Sequence, residues 1–255
     1  MRISVTDRCN LRCRYCMPEE GVPFIPHAEI LRFEEIRDVV KVAVRMGVEK
    51  VRLTGGEPLV RKGIVDLVRM IAEVPGVKDF SMTTNGILLG EFAVPLAEAG
   101  LQRVNVSLDS LDPETYAWIT RGGDVSKVLA GIEAARNAGL GPIKVNCVIK
   151  ESRNEKDAVA VRDYCHKNGL QIRYIREMNL HTGEFGVVDG GSGGDCRHCN
   201  RLRLTSNGMI KPCLFSDLEF SVRELGARQA IEKALIHKPE KGTVNLQNCF
   251  NNIGG

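Results

Sequence analysis

The sequence predicts an α/β fold, six β/α repeats of the kind that curl into a full or partial barrel followed by a second, smaller unit, on three observations. Apolar residues switch six times between a spacing of two and a spacing of three to four along the first 175 positions. Glycines fall just past the helical stretches, where a chain turns back toward a strand. The strands also alternate polar with apolar residues, whereas a parallel strand covered on both faces should be apolar throughout.

In chain order, positions 2–6 read as a strand, 33–46 as an amphipathic helix, 50–54 as a strand, 64–73 as a helix and 77–83 as a strand. Positions 91–99 then read as helical, 102–108 as extended, 125–138 as helical, 143–149 as extended, 155–167 as helical and 170–175 as extended. Gly47, Gly76, Gly100, Gly139 and Gly169 end helices or open turns into strands. Such alternation argues for a parallel sheet with right-handed crossovers, open or curled into a barrel. The strand faces favour the barrel. Arg2, Ser4 and Thr6 oppose Ile3 and Val5; Lys50, Arg52 and Thr54 oppose Val51 and Leu53; Asn105, Ser107 and Asp109 oppose Val104, Val106 and Leu108. Lys144 and Asn146 oppose Ile143 and Val145, and Arg173 stands apart from Ile172 and Tyr174. With the apolar faces under the helices, the polar faces line an interior that carries Arg2, Arg52, Lys144 and Arg173. Such a lumen suits a polar anion.

Beyond position 179 the texture changes. Positions 181–195 hold six glycines and read as a loop. Positions 201–204 and 209–212 flank Ser206-Asn207-Gly208, a hairpin signal, and 220–237 reads as one helix. The division is therefore 1–179 for the partial barrel, 180–195 for a Gly-rich linker and 196–255 for a second unit.

A net charge of +3 on 255 residues does not advertise nucleic acid or an acidic membrane surface as the main partner. No run approaches the length of a membrane span, and the first residues lack the apolar stretch of a secretory signal, so a cytoplasmic address is expected. Nine cysteines are the anomaly. Cys147, Cys165 and Cys249 stand alone and read as small buried hydrophobes. Cys9, Cys13 and Cys16 form C-x3-C-x2-C directly after the first strand, one ligand short of a closed zinc site, which implies an open position. A four-iron cluster with three thiolates leaves one iron free and suits that spacing better. Cys196, Cys199 and Cys213 form C-x2-C-x13-C around the hairpin. This resembles a zinc ribbon lacking its last cysteine, which His198 or Cys249 could supply; the parallel with the first triplet favours a second open cluster.

Ser4-Val-Thr-Asp-Arg-Cys9-Asn-Leu-Arg-Cys13-Arg-Tyr-Cys16-Met-Pro resembles the cluster motif of the radical S-adenosylmethionine (SAM) enzymes. Within them, the chain resembles the MoaA family, the GTP 3′,8-cyclases of molybdenum cofactor biosynthesis. Further matches are Arg52-Leu-Thr-Gly-Gly-Glu57-Pro-Leu, Thr83-Thr-Asn85-Gly, Val104-Asn-Val-Ser107-Leu-Asp109, Ile143-Lys144-Val-Asn146, the string Cys199-Asn-Arg201-Leu-Arg203-Leu-Thr and the closing Ile253-Gly254-Gly255.

The resemblance implies a partial TIM-like (β/α)6 barrel in which two [4Fe-4S] clusters face each other across the lumen. Cys9, Cys13 and Cys16 would hold the cluster that SAM chelates, and Cys196, Cys199 and Cys213 the one that meets the guanine of GTP. Gly55, Gly56 and Glu57 would approach the SAM amino group through backbone, the glycines because a Cβ would be in the way. Thr83, Ser107, Lys144 and Met178 fall at SAM-contacting positions. Arg2, Lys50, Arg52 and Arg173 match triphosphate-binding positions, joined by Arg201 and Arg203. The resemblance also implies catalytic duty for Arg201, Arg203 and the tail glycines Gly254 and Gly255. Its partners are GTP, a low-potential electron donor and the downstream enzyme that makes the molybdopterin precursor, with a homodimer allowed.

Two departures stand beside the substrate end. The stretch between Met178 and Cys196 is shorter than in typical members, and Arg176-Glu177 replaces a Glu followed by an apolar residue. They motivate an alternative reading, a paralogue acting on another nucleotide or on a peptide. A non-enzymatic zinc or iron–sulfur module that contacts RNA is the rival from another class; 5% aromatics and no basic run weigh against it.

Overall fold

The computed structural model describes residues 1–247 and 250–253 of the chain. Six parallel strands alternate with helices as the periodicity requires: β1 (Arg2–Ser4), α1 (Phe33–Arg45), β2 (Lys50–Thr54), α2 (Ile64–Ala72), β3 (Asp79–Thr84), α3 (Leu89–Glu98), β4 (Arg103–Ser107), α4 (Pro113–Thr120), α5 (Val125–Asn137), β5 (Lys144–Ile149), α6 (Lys156–Lys167) and β6 (Gln171–Arg176). β7 (Arg203–Leu204), β8 (Met209–Lys211), β9 (Phe220–Ser221), α7 (Val222–Leu225), α8 (Ala227–Ile236) and α9 (Phe250–Ile253) follow. The strands form one sheet in the order β6-β5-β4-β3-β2-β1-β7-β8-β9. It curls without closing, as a partial barrel does.

The helices pack on one side through stripes that the sequence spells out. Ile36, Val39, Val40 and Ala43 form the buried face of α1, over Ile3, Val51 and Leu53 of the sheet. Each fully buried aliphatic side chain of this kind contributes roughly 1.5–3 kcal/mol. Glu35 reaches back to the Arg32 N–H at 2.7 Å and closes the first turn of α1. Helix α4 escapes the periodicity reading because its apolar residues make no clear stripe; its start is set by Asp112, which accepts from Thr115 N at 2.9 Å, with Pro113 in the first turn. Gly47 and Gly100 take the left-handed conformation expected of helix ends, at φ 93° and 95°.

Three expectations are corrected here. The single helix expected over 220–237 is a short strand and two helices, broken at Gly226 (φ 75°, ψ 152°), a conformation no helix accommodates. The stretch 180–195 is more than a linker: Asp189 exchanges backbone hydrogen bonds with Tyr174 of β6, and Leu180 is buried with Leu214, Phe215 and Ile253. The residues set apart as a second unit continue the barrel sheet. β7 pairs in parallel with β1, matching Arg2 to Arg203 and Ile3 to Leu204, and Leu204, Ile210, Ile231 and Ala234 share the barrel's core. Cys147 and Cys165 are buried, as expected of isolated thiols, and Cys249 lies outside the described residues. No helix among the described residues is long and apolar enough to cross a membrane.

Candidate active site

The loop carrying Cys9, Cys13 and Cys16 leaves the C-terminal end of β1, the end at which parallel barrels build their sites. A tight turn sets two of the thiols, with Cys16 N and Met17 N both donating to Cys13 O at 2.9 and 3.0 Å. The end of α4 backs the loop: Arg12 N donates to Thr120 O and Arg14 N to Ile119 O. From the other side the turn after β2 clasps it, Gly56 N donating to Thr6 O and Glu57 N to Arg8 O, both at 2.8 Å.

That clasp gives Gly55 and Gly56 a second reason for lacking a side chain. A Cβ on Gly56 would lie 2.4 Å from Arg8 O, and one on Gly55 2.6 Å from Thr6 O. Both glycines line the cavity, but the absent side chains are already demanded by the cysteine loop. Glu57 follows in the same turn. It is fully buried and does not line the cavity; its carboxylate accepts from Leu59 N, Thr84 Oγ1 and Asn85 N at 2.7–3.0 Å, while burial pushes its pKa up to about 7. It latches the ends of β2 and β3 together.

A cavity of about 670 Å³ fills the curl of the sheet. Cys9, Cys13 and Cys16 line one end of it, and Thr83, Ser107, Lys144 and Met178 line its walls. Burial pushes the Cys9 thiol up to about 11, and burial followed by the charges of Cys16, Asp109 and Cys9 pushes Cys13 higher still. A positive centre beside Cys9 and Cys13 would offset that cost and favour their thiolates. Tyr15, which the motif reading passed over, donates to Asp109 Oδ2 at 2.8 Å, and Val148 N donates to Oδ1 at 2.7 Å. Burial raises Asp109 to about 6.

The other end is cationic. Register alone places Arg203, Arg2, Arg52, Ser81 and Arg103 side by side across five neighbouring strands. Lys50, Lys144, Arg173 and Arg201 join them around the cavity. Burial, and then repulsion from neighbouring cations, lowers two of them: Arg2 well below its ordinary value under Arg203 and Arg52, and Arg52 to about 10 under Arg103 and Arg173. Arg203 falls to about 10 for the same causes, burial first and Arg201 next. An anion relieves both costs at once. Arg103 and Asp79 were missed in the sequence. The signal was available, since Arg103 shares the parity of Asn105 and Ser107 on β4, and Asp79 that of Thr83 on β3.

Cys196, Cys199 and Cys213 line an adjoining pocket of about 120 Å³, with Arg2, Arg201 and Arg203 in its wall. Cys199 differs from the first triplet: burial works against its thiolate, but the Arg201 N–H and the charges of Lys238 and Arg201 leave its pKa below the usual value. Arg203 lines this pocket and not the main cavity, whereas Arg201 lines both. His198 binds Asp195 Oδ2 at 2.8 Å and is 83% exposed, so it does not complete a zinc tetrahedron with the three thiols. Among the described residues no three His, Cys, Asp or Glu side chains gather closely enough to hold one ion. Each cysteine triplet instead shares a cavity wall, with thiol-only donor sets of the type that hold iron–sulfur clusters. The residues present fit such a group. Gly254 and Gly255 lie outside the described residues; just before them, Asn251 Nδ2 donates to Asp7 O at 3.0 Å and ties α9 to the first cysteine loop.

The model of the radical SAM superfamily matches residues 3–165, and that of Molybdenum Cofactor Synthesis C matches residues 144–244. The GTP 3′,8-cyclase of Petrotoga mobilis is 40% identical in an alignment covering 94% of this chain and 90% of that protein. That of Pelotomaculum thermopropionicum is 42% identical over 94% and 91%. The first alignment runs to 291 positions against 255 residues in this chain, so the relative carries residues that this chain lacks. Among solved structures, native anSMEcpe with bound AdoMet superposes with a TM-score of 0.68 at 16% identity, covering 94% of this chain and 80% of that one, a likeness of fold.

Proposed function

Because the chain belongs to the radical SAM superfamily, and within it to the GTP 3′,8-cyclases, we propose that it cyclises GTP to 3′,8-cyclo-7,8-dihydro-GTP, the first step of molybdenum cofactor biosynthesis. The observation that carries this reading is one cavity with thiols at one end and a row of arginines at the other. A four-iron cluster and SAM belong to the superfamily, and when bound they supply the electron transfer and the radical chemistry that remove a ribose hydrogen.

The protein's own residues do the rest. Cys9, Cys13 and Cys16 would hold the cluster and leave one iron open to SAM. Thr83, Ser107 and Met178 would orient SAM along the wall between the two ends, and Lys144 stands where both ligands approach. Arg2, Lys50, Arg52, Arg173 and Arg201 would grip the triphosphate through charge-assisted, forked bonds. That grip fixes the ribose relative to SAM, the positioning on which a hydrogen transfer depends. Cys196, Cys199 and Cys213 would hold a second cluster beside the guanine, with Arg201 and Arg203 next to the ring that closes, and the tail glycines Gly254 and Gly255 would share in catalysis. The protein's partners would be a low-potential electron donor and the downstream enzyme that makes the molybdopterin precursor.

The test is GTP-dependent cleavage. With dithionite and SAM, the anaerobically reconstituted protein should release 5′-deoxyadenosine faster when GTP is added and yield an isomer of GTP by mass. Cleavage indifferent to GTP would refute the cyclase reading.

A further inference from the structure

One member of the arginine row has no task in that reading. Arg103 opens β4 in register with Ser81, next to Arg52, and lines the main cavity. Asp79 opens β3 and lines the same cavity. The two form a fork: Arg103 Nε donates to Asp79 Oδ1 at 3.0 Å, and Nη2 donates to Oδ1 and Oδ2 at 2.7 and 2.9 Å. This occupies one edge of the guanidinium. Nη1, on the other edge, is buried and has no acceptor among the described residues. An unsatisfied buried donor loses its hydration without compensation, so a pair built only to join two strands would not be expected to leave one. β3 and β4 are already joined by their backbone ladder from Ser81 to Thr84.

Electrostatics point the same way. Arg103 is among the charges that depress Arg52, Lys144 and Arg173, so it belongs to the field that an anion would meet. Asp79 acts on those same three cations in the opposite sense. A carboxylate beside a polyanion site is repulsive unless a cation covers it, and Arg103 covers this one. The side chains are 13% and 28% exposed, which keeps the pair from being screened away by water.

We propose that Arg103 is a further phosphate-binding residue of the cavity, and that Asp79 is the positioning residue that holds its guanidinium so that Nη1 serves a phosphate oxygen. The proposal rests on the reading of the arginine end as a triphosphate site. It gives removal of Arg103 two consequences, the loss of a donor and the exposure of a carboxylate to the phosphates.

The experiment compares GTP, guanosine and inorganic tripolyphosphate as ligands of the cluster-loaded protein. Arg103→Ala should weaken GTP and tripolyphosphate roughly ten- to a hundred-fold and leave guanosine within about twofold. Asp79→Asn should weaken GTP less, roughly three- to tenfold, and the double variant should bind GTP better than Arg103→Ala because the bare carboxylate is gone. Arg103→Lys, which keeps the charge but not the fork, guards against a misfolded alanine variant and should fall between wild type and Arg103→Ala for GTP alone. If these variants melt earlier yet keep the wild-type ratio of GTP to guanosine affinity, the pair is a strand tie and the proposal fails. If the wild-type protein itself binds tripolyphosphate no better than sulfate and GTP no better than guanosine, the triphosphate reading fails first, and the proposal with it.

Discussion

The two ends of the cavity are electrostatic opposites. At the C-terminal ends of the strands, Cys9, Cys13 and Cys16 sit among backbone, Thr83 and Ser107, with the buried carboxyls of Asp109 and Glu57 behind them; burial there makes negative charge costly on Cys9, Cys13, Asp109 and Glu57. At the N-terminal ends, Arg2, Arg52 and Arg103 stand in one cross-strand row and repel one another. On the proposed reading the contrast would keep two charged ligands in order within one cavity, a sulfonium at the first end and a polyanion at the second, each disfavoured at the other's end.

The sharpest way to break this comparison is to remove one end at a time. Changing Cys9, Cys13 and Cys16 together to Ala should leave about four of eight irons and abolish 5′-deoxyadenosine release, whereas changing Cys196, Cys199 and Cys213 should leave about four irons with SAM cleavage intact. Iron and sulfide analysis decides it, and stoichiometric zinc without sulfide in the parent protein would end the assignment of clusters to either end.

Gly56→Ala comes next. Its Cβ would strike Arg8 O at 2.4 Å, so overpacking should cost about 1–3 kcal/mol and displace the loop that bears the first three thiols. Loss of first-end iron, with the second end loaded, is the expected result. Gly90→Ala meets nothing within 4 Å and serves as the control. Normal iron content with only SAM affinity lost would leave close cofactor approach as the reason for the glycine.

Arg173→Ala sharpens the comparison from the cationic side. Arg173 faces Arg103 and Arg201 and carries no ion pair among the described residues, so its loss should raise the dissociation constant for GTP roughly ten- to a hundred-fold without changing iron content. An unchanged GTP titration would move the phosphates elsewhere.

The smallest effect concerns the hold of the C-terminal extension, which brings Arg201 and Arg203 to the cavity. Arg223 binds Glu35 of α1 at 3.0 Å and the carbonyls of Glu29 and Ile30. The Arg223 bond holds the Glu35 carboxyl down at about 2. A depressed acid stabilises the fold fully above its unfolded pKa of about 4.5, and the contribution disappears as pH falls toward about 2. Melting scans over that window should show a slope that Arg223→Ala flattens, at a cost of no more than about 1 kcal/mol near neutral pH because the pair is partly exposed. Equal slopes in both proteins would remove the pair from the docking of the extension.

What the sequence determined by itself follows from local rules. Period-2 alternation assigned Arg2, Arg52, Lys144 and Arg173 to one interior, because side-chain direction along a strand needs no tertiary knowledge, and all four line the cavity. The same rule covered Arg103 and Asp79, which went unread because a mixed pair of charges at strand starts looks like a solvated strand end. Spacing gathered each cysteine triplet into one loop region, and motif order gave the family. Long-range matters needed the fold. That β7 lies against β1, so that Arg203 stands beside Arg2, depends on which sheet edge was left open for a segment 200 residues away. That Glu57 turns inward to Thr84 and Asn85, and that Gly56 is shaped by Arg8 O, depends on how separate strand ends pack. Such contacts are fixed by excluded volume and by the need to satisfy buried polar groups among residues far apart in the chain, and neither quantity is written in a local pattern.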